Sequence, residues 1–169
     1  MSAVQRLHTR FRLFSTVLVL AALAAGCSGD DSTDSFEQDV VAARDTADSA
    51  LANIRRPESS QDLIVRLRTG GDDLATASGT VAASEAPDDL ADERRRLAGA
   101  LSSMSKEMDA AANTIELVQT SPAGEQGQVQ SLIFDTWDTV NAALAALREE
   151  GIDVEPLRRG GGAEDEGES

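Results

Sequence analysis

Residues 87–118, PDDLADERRRLAGALSSMSKEMDAAANTIELV, carry the clearest helical pattern of the chain. Its seam positions repeat at alternating four- and three-residue steps, with one polar member: Leu90, Arg94, Leu97, Leu101, Met104, Met108, Ala111, Ile115 and Val118. This spacing is typical of a long, straight helix with a coiled-coil-like apolar face. Pro87 suits the first helical position, and two aspartates follow it in the first turn. We therefore predict a helix of roughly 30 residues, about 45 Å long.

Two amphipathic stretches precede this helix. The first starts at Ser35, where Gln38 can complete a capping box, and Pro57 stops it. Its apolar face comprises Phe36, Val40, Ala43, Ala47, Leu51 and Ile54. The second starts near Ser59, and its apolar face comprises Leu63 or Ile64, Leu67, Leu74 and Val81. The pair Gly70-Gly71 interrupts this second face, and each glycine costs a helix about 1 kcal/mol relative to alanine. The pair predicts either a kink or short break, or a close helix crossing.

A fourth helix is predicted after Ser121-Pro122, starting there or only at Glu125. Its apolar face comprises Val129, Ile133, Val140, Leu144 and Leu147, with Leu132 and Trp137 beside it. Gly151 suits a left-handed cap, in which Ile152 contacts Leu147. Because no strand-like alternation competes, we predict an all-α fold, an antiparallel up-down four-helix bundle over residues 35–155. The alternative is a three-helix bundle with a broken second helix. The charged, glycine-rich tail 156–169 is predicted to be disordered.

The N-terminal segment has the layout of a secretory signal. Arg6, Arg10 and Arg12 precede an apolar run of 14 residues, 13–26, and no acidic residue occurs before Asp30. A membrane-spanning helix needs about 20 apolar residues and at least about 17. The run is therefore too short to span a membrane but suits the apolar core of a signal peptide.

The end of this run, Leu23-Ala24-Ala25-Gly26-Cys27, resembles the lipobox of bacterial lipoproteins. It departs slightly from the commonest form, because alanine stands three positions before the cysteine. The resemblance implies that residues 1–26 are a signal peptide cleaved before Cys27, and that acyl chains such as palmitate are attached at Cys27. Residues 28–34, SGDDSTD, are small, polar and acidic, so residues 27–34 are predicted to be a lipidated flexible tether. Two or more acyl chains anchor a protein stably. The alternatives are an ordinary signal peptide with a chance cysteine, or a short N-terminal anchor.

Charge and residue usage narrow the chemistry. Removing residues 1–26 takes away three arginines and no acid, so the net charge of −15 becomes −18. Such a surface repels nucleic acid and anionic headgroups, so no nucleic-acid partner is predicted. The removed segment also carries His8, the single histidine, and lipid would block Cys27, the single cysteine. We therefore predict no His/Cys zinc site, no Ser-His-Asp triad, no cofactor and no enzyme activity.

Three groups of residues are candidate sites. Met104 and Met108, one helical turn apart, present two thioethers that suit Cu(I), but their seam positions favour core packing. The basic run Arg94, Arg95 and Arg96 is a candidate interaction site for an anionic ligand. The simpler interpretation pairs Arg96 with Asp92, with the stem of Arg94 covering apolar surface. Trp137, the single tryptophan, marks either a binding groove or the edge of the core. The acidic pairs lack the spacing of a calcium loop.

The sequence thus predicts a lipid-anchored protein on the extracytoplasmic face of the cell membrane. Its helical bundle is expected to act as a non-catalytic interaction or scaffold module with an unknown envelope protein partner. The alternative is a lipoprotein that binds a metal or small ligand. Lys106 is the only lysine, and this Ala-, Arg- and Asp-rich composition resembles proteins of high-GC bacteria, of actinobacterial type.

Overall fold

The computed structural model describes residues 30–120 and 134–158, and every regular element in these ranges is helical. The helices are α1 (Asp30–Asn53), α2 (Ser60–Ala83), α3 (Ala91–Thr120) and α4 (Thr136–Glu149), and a 3-10 turn over Asp88–Leu90 leads into α3. Successive helices pack against one another in alternating directions. The predicted four-helix bundle is therefore confirmed.

The core is built on α3, as the sequence pattern indicates. Leu97, Leu101, Met104 and Met108 are all fully or almost fully buried. They pack in one continuous apolar cluster with the buried faces of the other helices. Val118, the last predicted seam position, is 37% exposed, so the buried face ends one turn earlier.

Helix α2 begins at the predicted cap and runs without a break through Gly70-Gly71. The Ser59 hydroxyl accepts a hydrogen bond from the Asp62 N–H at 3.0 Å. Both glycines are buried, and a Cβ at Gly70 would lie 3.0 Å from the Met108 sulfur. The glycines therefore permit a close helix crossing, and the alternative three-helix bundle with a broken second helix is wrong.

The crossing of α2 and α3 is also fixed by two hydroxyl groups. Ser105 on α3 is buried and donates to the Gly71 carbonyl at 2.8 Å. Ser78 on α2 donates to the Ala98 carbonyl at 2.7 Å. These bonds join side chain to backbone across the interface, so they set the register of the two helices as well as their separation.

Two predicted helix starts differ from the structure. Helix α1 begins at Asp30, not Ser35, so residues 30–34 of the predicted tether are helical. Small polar and acidic residues suit the first turn of a helix, where negative charge offsets the helix dipole. The apolar face begins only at Phe36, and for this reason periodicity alone places the start too late.

Helix α4 begins at Thr136, well after the predicted start between Ser121 and Glu125. Its first turn is held by α3: the Glu107 carboxylate accepts from the Thr136 N–H at 3.2 Å and from its hydroxyl at 2.7 Å. This acceptor satisfies donors that a helix N-terminus leaves unpaired. The predicted face residues Val129, Leu132 and Ile133 lie outside the described residues.

Helix α4 ends in the predicted glycine cap. Gly151 has φ +97°, and its N–H donates to the Arg148 carbonyl, while the Ile152 N–H donates to the Leu147 carbonyl, each at 3.1 Å. This pair of bonds defines a Schellman motif. Ile152 and Leu147 are both buried, as the motif's apolar contact requires.

The chain continues as an irregular segment, residues 152–158, which we call the C-terminal strap. Ile152, Val154 and Leu157 are each 3% exposed and belong to the apolar core. The prediction that the bundle ends at residue 155 and that disorder begins at 156 is therefore wrong for residues 156–158. Three apolar side chains anchor this segment, which is too few to form a periodic pattern in the sequence.

Candidate functional site

The strap is joined to α1 by a buried arginine, Arg44, which is 8% exposed. Its Nη2 donates to the Glu155 carboxylate and to the Pro156 carbonyl, both at 3.1 Å. Its Nη1 donates to Asp45 at 2.8 Å, and Asp48 lies 3.3 Å from Nη2. One guanidinium therefore links two carboxylates of its own helix to the backbone and side chain of the strap.

Three further hydrogen bonds run from strap backbone N–H groups to helix side chains. Asp153 donates to Glu37 at 3.4 Å, and Arg158 donates to Asp48 at 2.9 Å, both on α1. Leu157 donates to the Asn141 side-chain oxygen of α4 at 2.7 Å. The strap therefore lies between α1 and α4, two helices that make little direct backbone contact with each other.

The electrostatics at Arg44 favour a permanent cation. Burial acts to lower the pKa of Arg44, but the hydrogen bond to Asp45 and the charges of Asp48, Asp45 and Glu155 outweigh it and raise the pKa. Among the described residues, the buried Arg44 Nε has no hydrogen-bond partner. In the described ranges, the contacts of the guanidinium are therefore made by its two Nη atoms, which face the carboxylates and the strap.

The run Arg94, Arg95 and Arg96 does not form a common anion site. Arg94 is partly buried, and its Nη1 donates to the Ser84 carbonyl at the end of α2, at 2.6 Å. Arg95 is paired with Asp92, and Arg96 lies 3.5 Å from Glu93. The predicted Asp92–Arg96 pair is wrong, because both exposed arginines reach back three residues instead of four.

Trp137 is partly buried and packs against the apolar core in the first turn of α4. Its carbonyl accepts from the Asn141 side chain at 3.3 Å. This placement matches the core-edge interpretation. Because Asn141 also binds the strap, Trp137 lies one helical turn from the strap contacts.

Met104 and Met108 are completely buried in the core. Met108 is in contact distance of the α2 crossing at Gly70, so it fills a gap between helices. Within residues 30–120 and 134–158, no group of three or more His, Cys, Asp or Glu side chains could hold a metal ion.

A shallow groove of about 480 Å³ lies between α1 and α2. Its walls carry Asp39, Asp45 and Asp73 with several threonines, over a floor of alanine. The threonine hydroxyls at 46, 76 and 80 all donate to carbonyls of their own helices. The groove is therefore acidic, and these three hydroxyls are already used within the helices.

The lipobox-like stretch of residues 23–27 lies outside the described residues, so lipidation at Cys27 stays a prediction. No helix in the described ranges is both long and apolar enough to cross a membrane. Sequence reasoning missed Arg44 and the strap. A signal was present, since Arg44 and Asp48 form an i,i+4 pair, but strap residues 111 or more positions away complete the site.

Comparisons with known proteins give no relative from which a role can be transferred. The chain matches no protein-family model, and no curated protein or solved structure is significantly similar to it. The function must therefore be argued from the residues themselves.

Proposed function

We propose that this protein is a lipoprotein anchored to the extracytoplasmic face of the cell membrane, and that its helical bundle works by binding another protein. The observation that carries the proposal is the sequence Leu23-Ala24-Ala25-Gly26-Cys27, directly after a 14-residue apolar run with arginines before it. The short apolar run suits a signal peptide, and its resemblance to the lipobox of bacterial lipoproteins implies lipid attachment at Cys27. Two or more acyl chains would then hold the protein on the membrane.

The non-catalytic role is supported by the residues that would remain after processing. Loss of residues 1–26 removes the single histidine, and lipid on Cys27 blocks the single thiol. The methionines that could bind Cu(I) are fully buried, and the basic run is engaged in local contacts. Binding of a protein partner requires none of the groups that the mature chain would lack.

Metabolic labelling tests the anchor directly. Cells that produce the full chain are fed labelled palmitate, and the protein is recovered from salt-washed membranes. We expect the wild-type chain to carry label and stay with the membrane, and Cys27→Ser to lose the label. The matched control is Ser28→Ala at the next position, which leaves the thiol in place and should label normally.

Two results would count against the anchor. One is an unlabelled wild-type chain, and the other is label that persists in Cys27→Ser. The face of the membrane is tested separately by adding protease to intact cells. We expect the bundle to be cleaved from outside, whereas full protection would contradict an extracytoplasmic location.

A further inference from the structure

The space between α1 and α4 that the C-terminal strap fills is a groove distinct from the acidic groove between α1 and α2. We propose that this strap-filled groove is a docking site for an extended segment of a partner protein, and that the strap is the chain's own competitor for this site. The inference deepens the proposed function, because it names the surface and the chemistry of the partner. The strap displays the pattern that the groove accepts. Its apolar residues stand at the first, third and sixth positions, and a glutamate precedes the proline at the fifth.

The groove is pre-organised on the helix side. Arg44 is oriented by Asp45 and Asp48 of its own helix, at 2.8 and 3.3 Å. These two contacts do not involve the strap, so they remain available to orient the guanidinium when the strap leaves. Binding sites whose polar groups are already oriented lose less entropy when a ligand arrives.

The strap is attached in the way that a bound peptide is attached. It is held to α1 and α4 by side-chain hydrogen bonds and by the burial of three apolar side chains. Among the described residues, the backbone–backbone bond of the strap after the helix cap is local, from the Val154 N–H to the Ile152 carbonyl. Segments with few backbone bonds to the rest of a fold are among the first to open.

Proline makes the strap suitable for extended binding. Pro156 cannot continue a helix, and it favours an extended backbone at Glu155 before it. Its carbonyl accepts from Arg44, and the Glu155 carboxylate meets the same guanidinium. A partner segment with this carboxylate–proline pair would satisfy Arg44 in the same way and would insert its own apolar side chains into the three buried positions.

The strap follows the helix cap at Gly151 directly, so it competes from a high effective concentration. Short connections give effective concentrations in the millimolar range. A partner segment therefore binds well only after the strap has been displaced or weakened. This arrangement makes the site selective for a partner that presents the pattern at high local concentration, as a neighbour on the same membrane would.

A fluorescent peptide with the sequence of residues 151–158, GIDVEPLR, serves as the probe. Binding is measured by anisotropy on the full chain in detergent. In the strap-released variant, Val154→Asp with Leu157→Asp, we expect saturable binding. The wild-type chain should bind the peptide roughly tenfold more weakly or worse, because its own strap occupies the groove.

The controls separate the groove from the rest of the surface. A peptide with aspartate in place of its leucine should not bind. Adding Arg44→Ala to the strap-released variant should weaken binding severalfold. In the wild-type chain, Asp153→Ala changes an exposed strap position, so peptide binding should stay as weak as without the substitution. A released variant that keeps its helical circular dichroism but binds no peptide would overturn the proposal.

A second variant covers the case in which the released variant does not fold. A protease site is inserted after Gly151 in the full chain, and the chain is cut after folding. We expect the cut strap to exchange with the labelled peptide. A strap that never exchanges, or a bundle that unfolds once cut, would show that the strap is a permanent part of the core.

The same experiment distinguishes a partner protein from a second copy of the chain as the occupant of the groove, and it does not depend on the lipid anchor. If the wild-type chain is a dimer at micromolar concentration and Leu157→Asp makes it monomeric, the strap of a second copy occupies the groove and a partner protein does not. Peptide binding does not depend on lipid at Cys27. Failure of the peptide test would therefore not contradict lipid anchoring at Cys27, and failure of the labelling test would not contradict docking in the groove.

Discussion

At the scale of single residues, Arg44 connects elements that are far apart in the sequence. We predict that Arg44→Met lowers the free energy of unfolding by about 1–3 kcal/mol, because hydrogen bonds made by a charged group are lost at a buried site. The expected loss appears in chemical denaturation. The matched control is Arg95→Met, which removes an exposed pair worth about 0–1 kcal/mol. Equal effects of the two substitutions would contradict the role assigned to Arg44.

Asp62 provides a pH-dependent test at the same scale. Hydrogen bonds from the Arg66 side chain and from the Glu58 N–H lower the pKa of Asp62 below its ordinary value of 3.8. A carboxylate whose pKa is lowered by folding stabilises the protein above its unfolded pKa, and this contribution is lost as the pH falls through the folded pKa.

We therefore expect Asp62→Asn to lower the melting temperature at neutral pH. The gap between variant and wild type should close as the pH falls below the ordinary aspartate range. Thermal melts of the two proteins across this range provide the measurement. A gap that stays constant into strong acid would show that the Asp62 charge does not contribute in this way.

At the scale of elements, the crossing of α2 on its neighbours depends on Gly70. A Cβ there would lie 3.0 Å from the Met108 sulfur and 3.2 Å from the Ala50 Cβ, all within the buried core. Gly79 and Gly99 are helical as well, but a Cβ at either meets nothing within 4 Å. Alanine substitutions at these three positions therefore distinguish the effect of helix propensity on stability from the effect of packing.

We predict opposite signs for these alanine substitutions. Gly70→Ala should destabilise the bundle by about 1–3 kcal/mol, because overpacking outweighs the gain in propensity. Gly79→Ala and Gly99→Ala should each stabilise it by about 1 kcal/mol. Urea denaturation measures all three. A stabilising Gly70→Ala would mean that the helices cross less closely than the structure has them.

The start of α4 depends on a carboxylate from α3. We predict that Glu107→Ala destabilises the protein by about 1 kcal/mol, the usual effect of losing a helix N-cap. Amide exchange should quicken in the first turn of α4 and not in α1. The control is Glu116→Ala, which changes another glutamate of α3 and removes an exposed ion pair with Arg68 of α2. If both variants exchange alike in α4, the capping role is wrong.

Sequence reasoning predicted the helices well and their connections poorly, for a physical reason. Apolar residues such as Leu101 and Met108 recur at the helical period, so a long pattern reveals both the element and its buried face. The boundary at Thr136 depends on a polar contact from another helix. The residues that begin α1 at Asp30 are small, polar or acidic and lie before the apolar period. The strap is an irregular segment with three buried apolar residues, too few to form a period. The contacts of Arg44 with the strap form only when the chain folds, because Glu155 lies 111 residues away.

For the molecule as a whole, we propose separate roles for the bundle and the N-terminal segment. The bundle supplies a stable set of surfaces, including the groove that the strap fills, and the lipobox is proposed to hold those surfaces at the membrane. The apolar cluster of the described residues begins at Phe36 in α1 and includes residues of all four helices. The packing of the bundle and the proposed lipid anchor are therefore tested by different measurements.

The central claim is that the native protein begins at a lipid-modified Cys27. Mass spectrometry of the N-terminal peptide, taken from protein purified out of its own membranes, tests it most directly. We predict that the peptide starts at Cys27 and carries the added mass of two or more acyl chains. A peptide that starts at Met1 or at any other residue, or an unmodified Cys27, would contradict the account.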